Sequence, residues 1–364
     1  MEVMQFDRPE LSIVTPVLNE RDELPAFLDM LERQERLRFE LVISDGGSKD
    51  GSLEWLEEQR AGQGFKVRLR RGDRGRARQL NLGARAARGE ILLFLHVDSR
   101  LDDPLALRTS LDFFEQQQIQ SPSGEVAGRF PLRFLRGTRG SETSFFFYEQ
   151  KTRLDRPGCT HGDQGFLMAR EFFFRIGPFD ETLAVLEDTR LAERIRRQGS
   201  WVLLPGELRT SARRFETEGL AARQLLNAFI MNFSHIGWEA FFASAPGVYR
   251  AQSRTRRMEL LPWFDLIAGL LRQEPPGRRK QLWRATGSYV RDNLWQLFFA
   301  LDARRSFRRS AALEQRRLRF FDRRLAPRLA GQRSAALCAY LTRLLFRGGH
   351  LLLKLRRALL SRIK

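Results

Sequence analysis

The strongest constraint on this chain lies in its first hundred residues, where short apolar runs end in polar residues and each is followed by a stretch with helical spacing. LSIVTPVLNE (11–20) is apolar until Pro16 and Asn19 interrupt it, which suits a buried strand feeding a loop. RDELPAFLDMLERQER then sets Leu24, Phe27, Leu28 and Leu31 on one helical face. FELVISDGGSKDG (39–51) repeats the pattern and runs into a Gly-rich turn. SLEWLEEQRAG reads as a helix, KVRLRR as a third strand, and RGRARQLNLGARAARG as a helix closed by Gly89. EILLFLHVDS (90–99) is the most apolar strand of the set. Apolar strands alternating with helices predict a parallel sheet covered by helices, an open α/β fold. Such sheets bind ligands beyond the carboxyl ends of their strands. The residues there are Asn19 and Glu20, Asp45 to Ser48, Arg74 to Arg78, and His96 with Asp98.

Downstream, residues 120–220 are less regular, and from about residue 220 the pattern is helical and Arg-rich, with breaks at Pro275-Pro276, Pro327 and Gly348-Gly349. Charge divides the chain. Residues 1–235 carry 35 Lys and Arg against 36 Asp and Glu, whereas residues 236–364 carry 28 against 8. The net charge of +19 therefore belongs to the C-terminal third, which predicts domains at 1–235 and 236–364. Cys159 and Cys338 match no metal-ligand spacing and read as reduced thiols. MEVMQFDRPELSIV lacks the basic start and apolar stretch of a signal peptide, and no apolar run approaches the ~18 residues of a spanning helix. The expectation is a cytoplasmic protein.

Several stretches have a plain reading. SDGGSKDG suits a tight turn, GRARQLNLG a solvated helix face, and HVDS a helix cap. No G-x-G-x-x-G follows the first strand and no Walker motif occurs, which counts against a dinucleotide-dependent dehydrogenase and a P-loop enzyme. In VLEDTR (185–190), Val185 and Leu186 read as packing residues, and Glu187 and Asp188 open a helix that ends at Gly199. Carboxylates at a helix N-terminus are favoured by its unpaired N–H groups, so capping alone would account for them.

The order of the motifs is more specific than any one of them. P-V-L-N-E, D-G-G-S-x-D-G, G-R-A-R-Q-x-N, L-F-L-H-x-D, G-D-Q-G-F and L-E-D, in that sequence over residues 10 to 220, resemble the family 2 glycosyltransferases. The resemblance is greatest to a bacterial group that also carries T-S-A-R-R. It implies the GT-A fold, a Rossmann-like and mostly parallel sheet with helices on both faces. Here that fold would be joined to a mainly α-helical, Arg-rich C-terminal region.

The resemblance also implies an inverting, metal-assisted transfer of one sugar from a UDP- or GDP-linked donor to a hydroxyl acceptor. Asp45 matches the aspartate that holds the nucleoside, with Pro16, Asn19, Glu20, Gly46 and Asn81 on the donor side. Arg76 and Arg78, beside Arg74, would add positive charge for the diphosphate. Asp98 matches the last acid of the D-x-D motif and would bind Mg²⁺ or Mn²⁺. The first acid of that motif is replaced by His96, so one carboxylate is left for the metal. Asp188 matches the general base, and Glu187 a supporting group that raises its pKa by like-charge repulsion. Asp163, Gln164, Arg213 and Arg214 match the acceptor side. SARRF stands where processive synthases carry Q-x-x-R-W, a departure that favours single-sugar transfer.

The basic C-terminal third admits three roles: nucleic-acid binding, membrane attachment and packing against the catalytic domain. LLLKLRRALLSRIK sets Leu352, Leu355, Leu359 and Ile363 on one face, with Lys354, Arg356, Arg357 and Arg362 largely elsewhere, and SAALCAYLTRLLF offers a similar face. Cationic amphipathic helices suit anionic bilayers, so the favoured partner is an anionic membrane surface at the inner face of the cell membrane, not nucleic acid. Two competing classes remain. One is a non-catalytic GT-A-like binding protein tethered through this region to membrane or nucleic acid. The other is a nucleotidyltransferase.

Overall fold

The computed structural model describes residues 8–138, 140–252 and 257–363. The opening heptapeptide, Lys364 and the side chains of Arg362 and Ile363 lie outside the described residues. The chain divides into two compact units, residues 1–135 with 148–211, and residues 136–147 with 212–364. Residue 235, where the charge balance changes, is the last residue of a helix inside the second unit, Leu220–His235. Charge and packing thus divide the chain at different points.

The first unit holds β1 (Leu11–Val17), β2 (Phe39–Asp45), β3 (Lys66–Arg71), β4 (Ile91–Phe94), β5 (Val126–Arg129), β6 (Leu132–Leu135), β7 (Phe166–Ala169), β8 (Ser200–Leu203) and β9 (Leu208–Ser211). Seven of them form one sheet in the order β3-β2-β1-β4-β7-β5-β8, and β6 pairs with β9 in a second. The sheet is mostly parallel, with helices packed on it, as the alternating pattern predicts. β7 alone runs against its neighbours β4 and β5. Every residue of β2 is buried, which is why its central run Leu41-Val42-Ile43 is apolar without alternation.

Val14, Val42, Leu92, Phe94, Phe166 and Met168 on the strands pack with Leu80, Phe173, Leu191 and Ile195 from the helices Arg76–Ala86, Arg170–Arg175 and Glu187–Gln198. The first of these helices lies so close to the sheet that a Cβ at Gly83 would fall 2.5 Å from Val14 Cγ1 and 2.9 Å from Ser44 Oγ. Glycine there lets the helix seat its N-terminus above the strand ends.

The second unit is helical around Leu226, Phe233, Trp238, Phe241, Trp263, Ile267 and Leu282. Pro275-Pro276 separates the helices Leu261–Gln273 and Pro276–Asp292, as expected. The break expected at Gly348-Gly349 does not occur. A single helix runs from Gln332 to Ile363. Each glycine costs a helix only ~1 kcal/mol, and here the cost is offset by contacts on either side. Phe346 stacks on Phe264 at 4.9 Å, and His350 Nε2 lies 2.7 Å from Asp265 Oδ1. No helix among the described residues is long and apolar enough to cross a membrane.

Candidate active site

Two loops at the carboxyl ends of β1 and β2 are stitched together. Asn19 adopts a left-handed backbone (φ 56°), donates its N–H to Ser48 Oγ at 2.9 Å, and accepts the Lys49 N–H on Oδ1 at 2.8 Å. Glu20 donates its N–H to Ser52 Oγ at 3.1 Å, and its carbonyl accepts the Glu23 and Leu24 N–H groups at the start of the next helix. Asp45 is buried, with its carboxylate accepting N–H groups from Gly47 at 2.8 Å and Ser48 at 3.1 Å. Pro16 sits within β1 in register with Ser44.

Gln79, which the sequence reading did not single out, fixes both strand ends: its Nε2 donates to Val17 O at 2.7 Å and Ser44 O at 2.9 Å. A Cβ at Gly46 would fall 2.8 Å from Gln79 Cδ, so the glycine makes room for that amide. The final Gln of G-R-A-R-Q was the available signal.

Beyond β4 and before β7, the antiparallel pairing of Phe94 with Phe166 brings two turns to the same edge. Asp98 follows β4 and accepts a hydrogen bond from Thr210 Oγ1 at 3.3 Å. Asp163 lies in the 3-10 turn Gly162–Gln164. That turn is held by Gln164, whose Oε1 accepts the His161 N–H at 3.1 Å while its Nε2 donates to Phe130 O at 3.0 Å and Thr152 O at 3.1 Å. Gln164 is fully buried, with its amide committed to backbone. Its expected contact with an acceptor is replaced by a bracing role. Asn81 is a second correction. Also buried, it donates to Phe179 O and Glu181 Oε1, each at 2.8 Å, and accepts the Phe179 N–H at 3.0 Å. It secures the 179–181 loop instead of facing a donor.

VLEDTR reaches this edge from the other side. Val185 is exposed, not packed, and Leu186 carries a left-handed backbone (φ 68°), a conformation that costs a non-glycine residue ~1–2 kcal/mol. Glu187 is 1 % exposed and accepts a hydrogen bond from Arg76 Nε, so helix capping does not account for it. Arg76 opens the helix Arg76–Ala86, and its Nη2 stands 3.9 Å from Asp188 Oδ1. Asp188 accepts N–H groups from Gly162 and Thr189, each at 2.7 Å. A Cβ at Gly162 would come within 3.1 Å of the Asp188 side chain.

Electrostatics separate the two aspartates. Burial raises the Asp163 carboxyl, the charges of Asp188 and Asp98 raise it further, and Arg76 only partly opposes them, so it is pushed up to about 7. Burial also works against the Asp188 carboxylate, but Arg76, His161 and the two backbone N–H groups hold it below the ordinary value. The expected elevation of Asp188 by Glu187 is therefore overturned, because Arg76 stands against both acids. Burial depresses His161, with Asp188 acting in the opposite direction. Just below neutral pH the cluster therefore favours an ionised Asp188 beside a protonated Asp163.

Arg74 and Arg78 are exposed and form no ion pair among the described residues. His96 and Asp98 are half-buried. Among the described residues no group of three His, Cys, Asp or Glu side chains forms a metal site. Arg213 and Arg214 open the helix Arg213–Glu218 of the second unit.

The glycosyl transferase family 2 model matches residues 12–176. A PGL/p-HBAD biosynthesis glycosyltransferase of Mycobacterium tuberculosis is 31 % identical over 181 residues, covering 50 % of this chain and 67 % of its own. An uncharacterized glycosyltransferase of Haemophilus influenzae is 37 % identical over 90 residues, 24 % of this chain and 29 % of its own. The mannosyltransferase PcManGT of Pyrobaculum calidifontis, solved with GDP-Man and Mn²⁺, is 17 % identical. It covers 93 % of this chain and 88 % of its own with a TM-score of 0.46, a likeness too distant to bear on chemistry. The chain belongs to glycosyl transferase family 2, and it is a transferase with a GT-A-type, mostly parallel sheet. The family match covers Asp45, Arg76, Asp98 and Asp163 and ends before Glu187 and Asp188.

Proposed function

We propose that this glycosyltransferase inverts the anomeric carbon as it moves one sugar from a UDP- or GDP-linked donor to a hydroxyl acceptor. The acceptor is read as a lipid or lipid-linked molecule at the anionic inner face of the cell membrane. The observation that carries the transfer reading is Asp188: ionised, held by two backbone N–H groups, and facing an Arg76 already paired with Glu187.

In this reading Asp188 takes the proton of the acceptor hydroxyl as its oxygen bonds to the anomeric carbon. The bond from that carbon to the donor diphosphate breaks, and its electron pair leaves with the diphosphate. One ionised carboxylate acting as base suits direct displacement, which inverts the centre. Arg74 and Arg78, exposed and without ion pairs among the described residues, suit the leaving diphosphate. A divalent ion would neutralise charge on the diphosphate. Asp98, a half-buried hard-oxygen ligand near the Asp163 Oδ1 that has no hydrogen-bond partner among the described residues, fits such an ion if nucleotide oxygens complete its shell. Asp45 and the Asn19 loop suit the nucleoside.

The test is a thermal-shift screen of the full chain against UDP, GDP and their sugar conjugates, with and without Mn²⁺. Ligands that bind only the folded state raise its melting point. A positive shift supports the donor assignment, and no shift under any metal condition removes it. Pyrophosphate release from a nucleoside triphosphate and a sugar phosphate would instead mark a nucleotidyltransferase.

A further inference from the structure

The helix Gln332–Ile363 presents its two sides very differently. One side is locked to the second unit: a Cβ at Gly287 would fall 2.3 Å from Ala335 O and 2.6 Å from Ala339 Cβ, so the two backbones meet with no side chain between them. Phe346 and His350, on the same side, meet Phe264 and Asp265. At about 100° per residue, the arc opposite these contacts holds Leu337, Leu341, Leu344, Leu352, Leu355 and Leu359. All six are exposed, several by more than half of their surface. No charged side chain interrupts this arc between Leu337 and Leu359, a span of about 33 Å. A surface helix in water carries its polar residues on that outward arc, and an apolar strip of this length marks an interaction site.

We infer that this outward leucine strip is the surface by which the protein lies on an anionic lipid bilayer. The inference names the surface behind the membrane part of the reading above and does not depend on the transfer chemistry. Charge selects the occupant. The helix carries seven Lys and Arg and no acid, with Arg343, Arg347 and Lys354 along one flank of the strip. Two copies facing each other along the strip would oppose cations with no carboxylate to pair them. Anionic headgroups over an acyl layer match both the flank and the strip.

The experiment is sedimentation of the full chain with vesicles of roughly one-third phosphatidylglycerol in phosphatidylcholine. The wild type is expected to partition to these vesicles, and Leu344→Glu/Leu352→Glu to lose at least ~10-fold of that binding with an unchanged melting temperature. Arg343→Gln/Arg347→Gln is expected to lower binding to anionic vesicles only. Unchanged binding by the leucine variant overturns the inference. So does a wild type that ignores vesicles and forms a dimer which the leucine variant breaks. Vesicle binding is read without donor, and the nucleotide thermal shift without lipid, so failure of one is distinguishable from failure of the other.

Discussion

The helices Arg76–Ala86 and Gln332–Ile363 are both rich in arginine and use it in opposite ways. In the first, Arg76 turns toward Glu187 and Asp188 and fixes which acid of the cluster keeps its charge. In the second, Arg343 and Arg347 are exposed and form no ion pair among the described residues. An arginine matched by a buried carboxylate fixes the charge of its own surroundings, whereas an unmatched one, Arg78 on the first helix or Arg343 and Arg347 on the last, is open to an external anion. Total charge, the most visible property of the sequence, distinguishes neither.

The largest expected effect falls on the matched side. Asp188→Asn keeps the shape of the base and removes its proton affinity, so turnover should fall ~10²-fold or more with nucleotide affinity nearly unchanged, read by single-turnover kinetics and thermal shift. Undiminished turnover would move the base elsewhere, whereas a wild type that binds nucleotide and never turns over would revive the binding-protein reading. Gln164→Ala strips three hydrogen bonds from a buried turn and should lower the unfolding free energy by ~2–3 kcal/mol in urea titration.

Arg76→Gln leaves Glu187 buried without its cation. The arginine is itself 43 % exposed, so the expected loss is reduced to ~1–3 kcal/mol, and adding Glu187→Gln should recover part of it. Additive losses in the double variant would break the pairing argument.

Asp163 gives a pH test in metal-free protein. Between the ordinary carboxyl value of 3.8 and about 7, the folded state holds a proton that the unfolded chain has lost. Its contribution is therefore full at pH below that window and declines as pH rises through it. Asp163→Asn should match the wild type near pH ~4 and exceed its stability by ~1–3 kcal/mol near pH ~8. A variant less stable at the higher pH would contradict the assigned proton. The smallest effect belongs to the unmatched side: Arg343→Gln/Arg347→Gln should change stability in water by less than ~0.5 kcal/mol.

Sequence was informative where burial is two-sided and local. β1, β2 and β4 are apolar runs because both faces are covered, and the residues at their ends follow from strand direction. The four-residue strands β5 to β9 were not legible, since so few residues carry no period. Motif order singled out Asp188 and Asp163, which the fold brings to one edge of the sheet. Gln79, Asn81 and Gln164 were not legible in their actual roles, because each amide serves backbone groups far away in the chain and no local spacing encodes such a bond. The uninterrupted final helix was missed because the glycine pair argues for a break locally, whereas the contacts of Phe346 and His350 with residues some eighty positions earlier maintain it.

The reversed strand β7 also sets when in the life of the chain the site comes into being. β1 to β4 can pair once the chain as far as Asp98 has left the ribosome, and they already present Asp45 and Asp98. Asp163 reaches that edge only when Phe166 pairs with Phe94, and Asp188 only when the helix Glu187–Gln198, which it helps open, docks. Because contacts distant in sequence form slowly and domains assemble as synthesis proceeds, Asp45 and Asp98 are in place before Asp163 and Asp188. Under the function proposed above, a nascent chain would hold a place for a nucleotide before it holds the base that uses one.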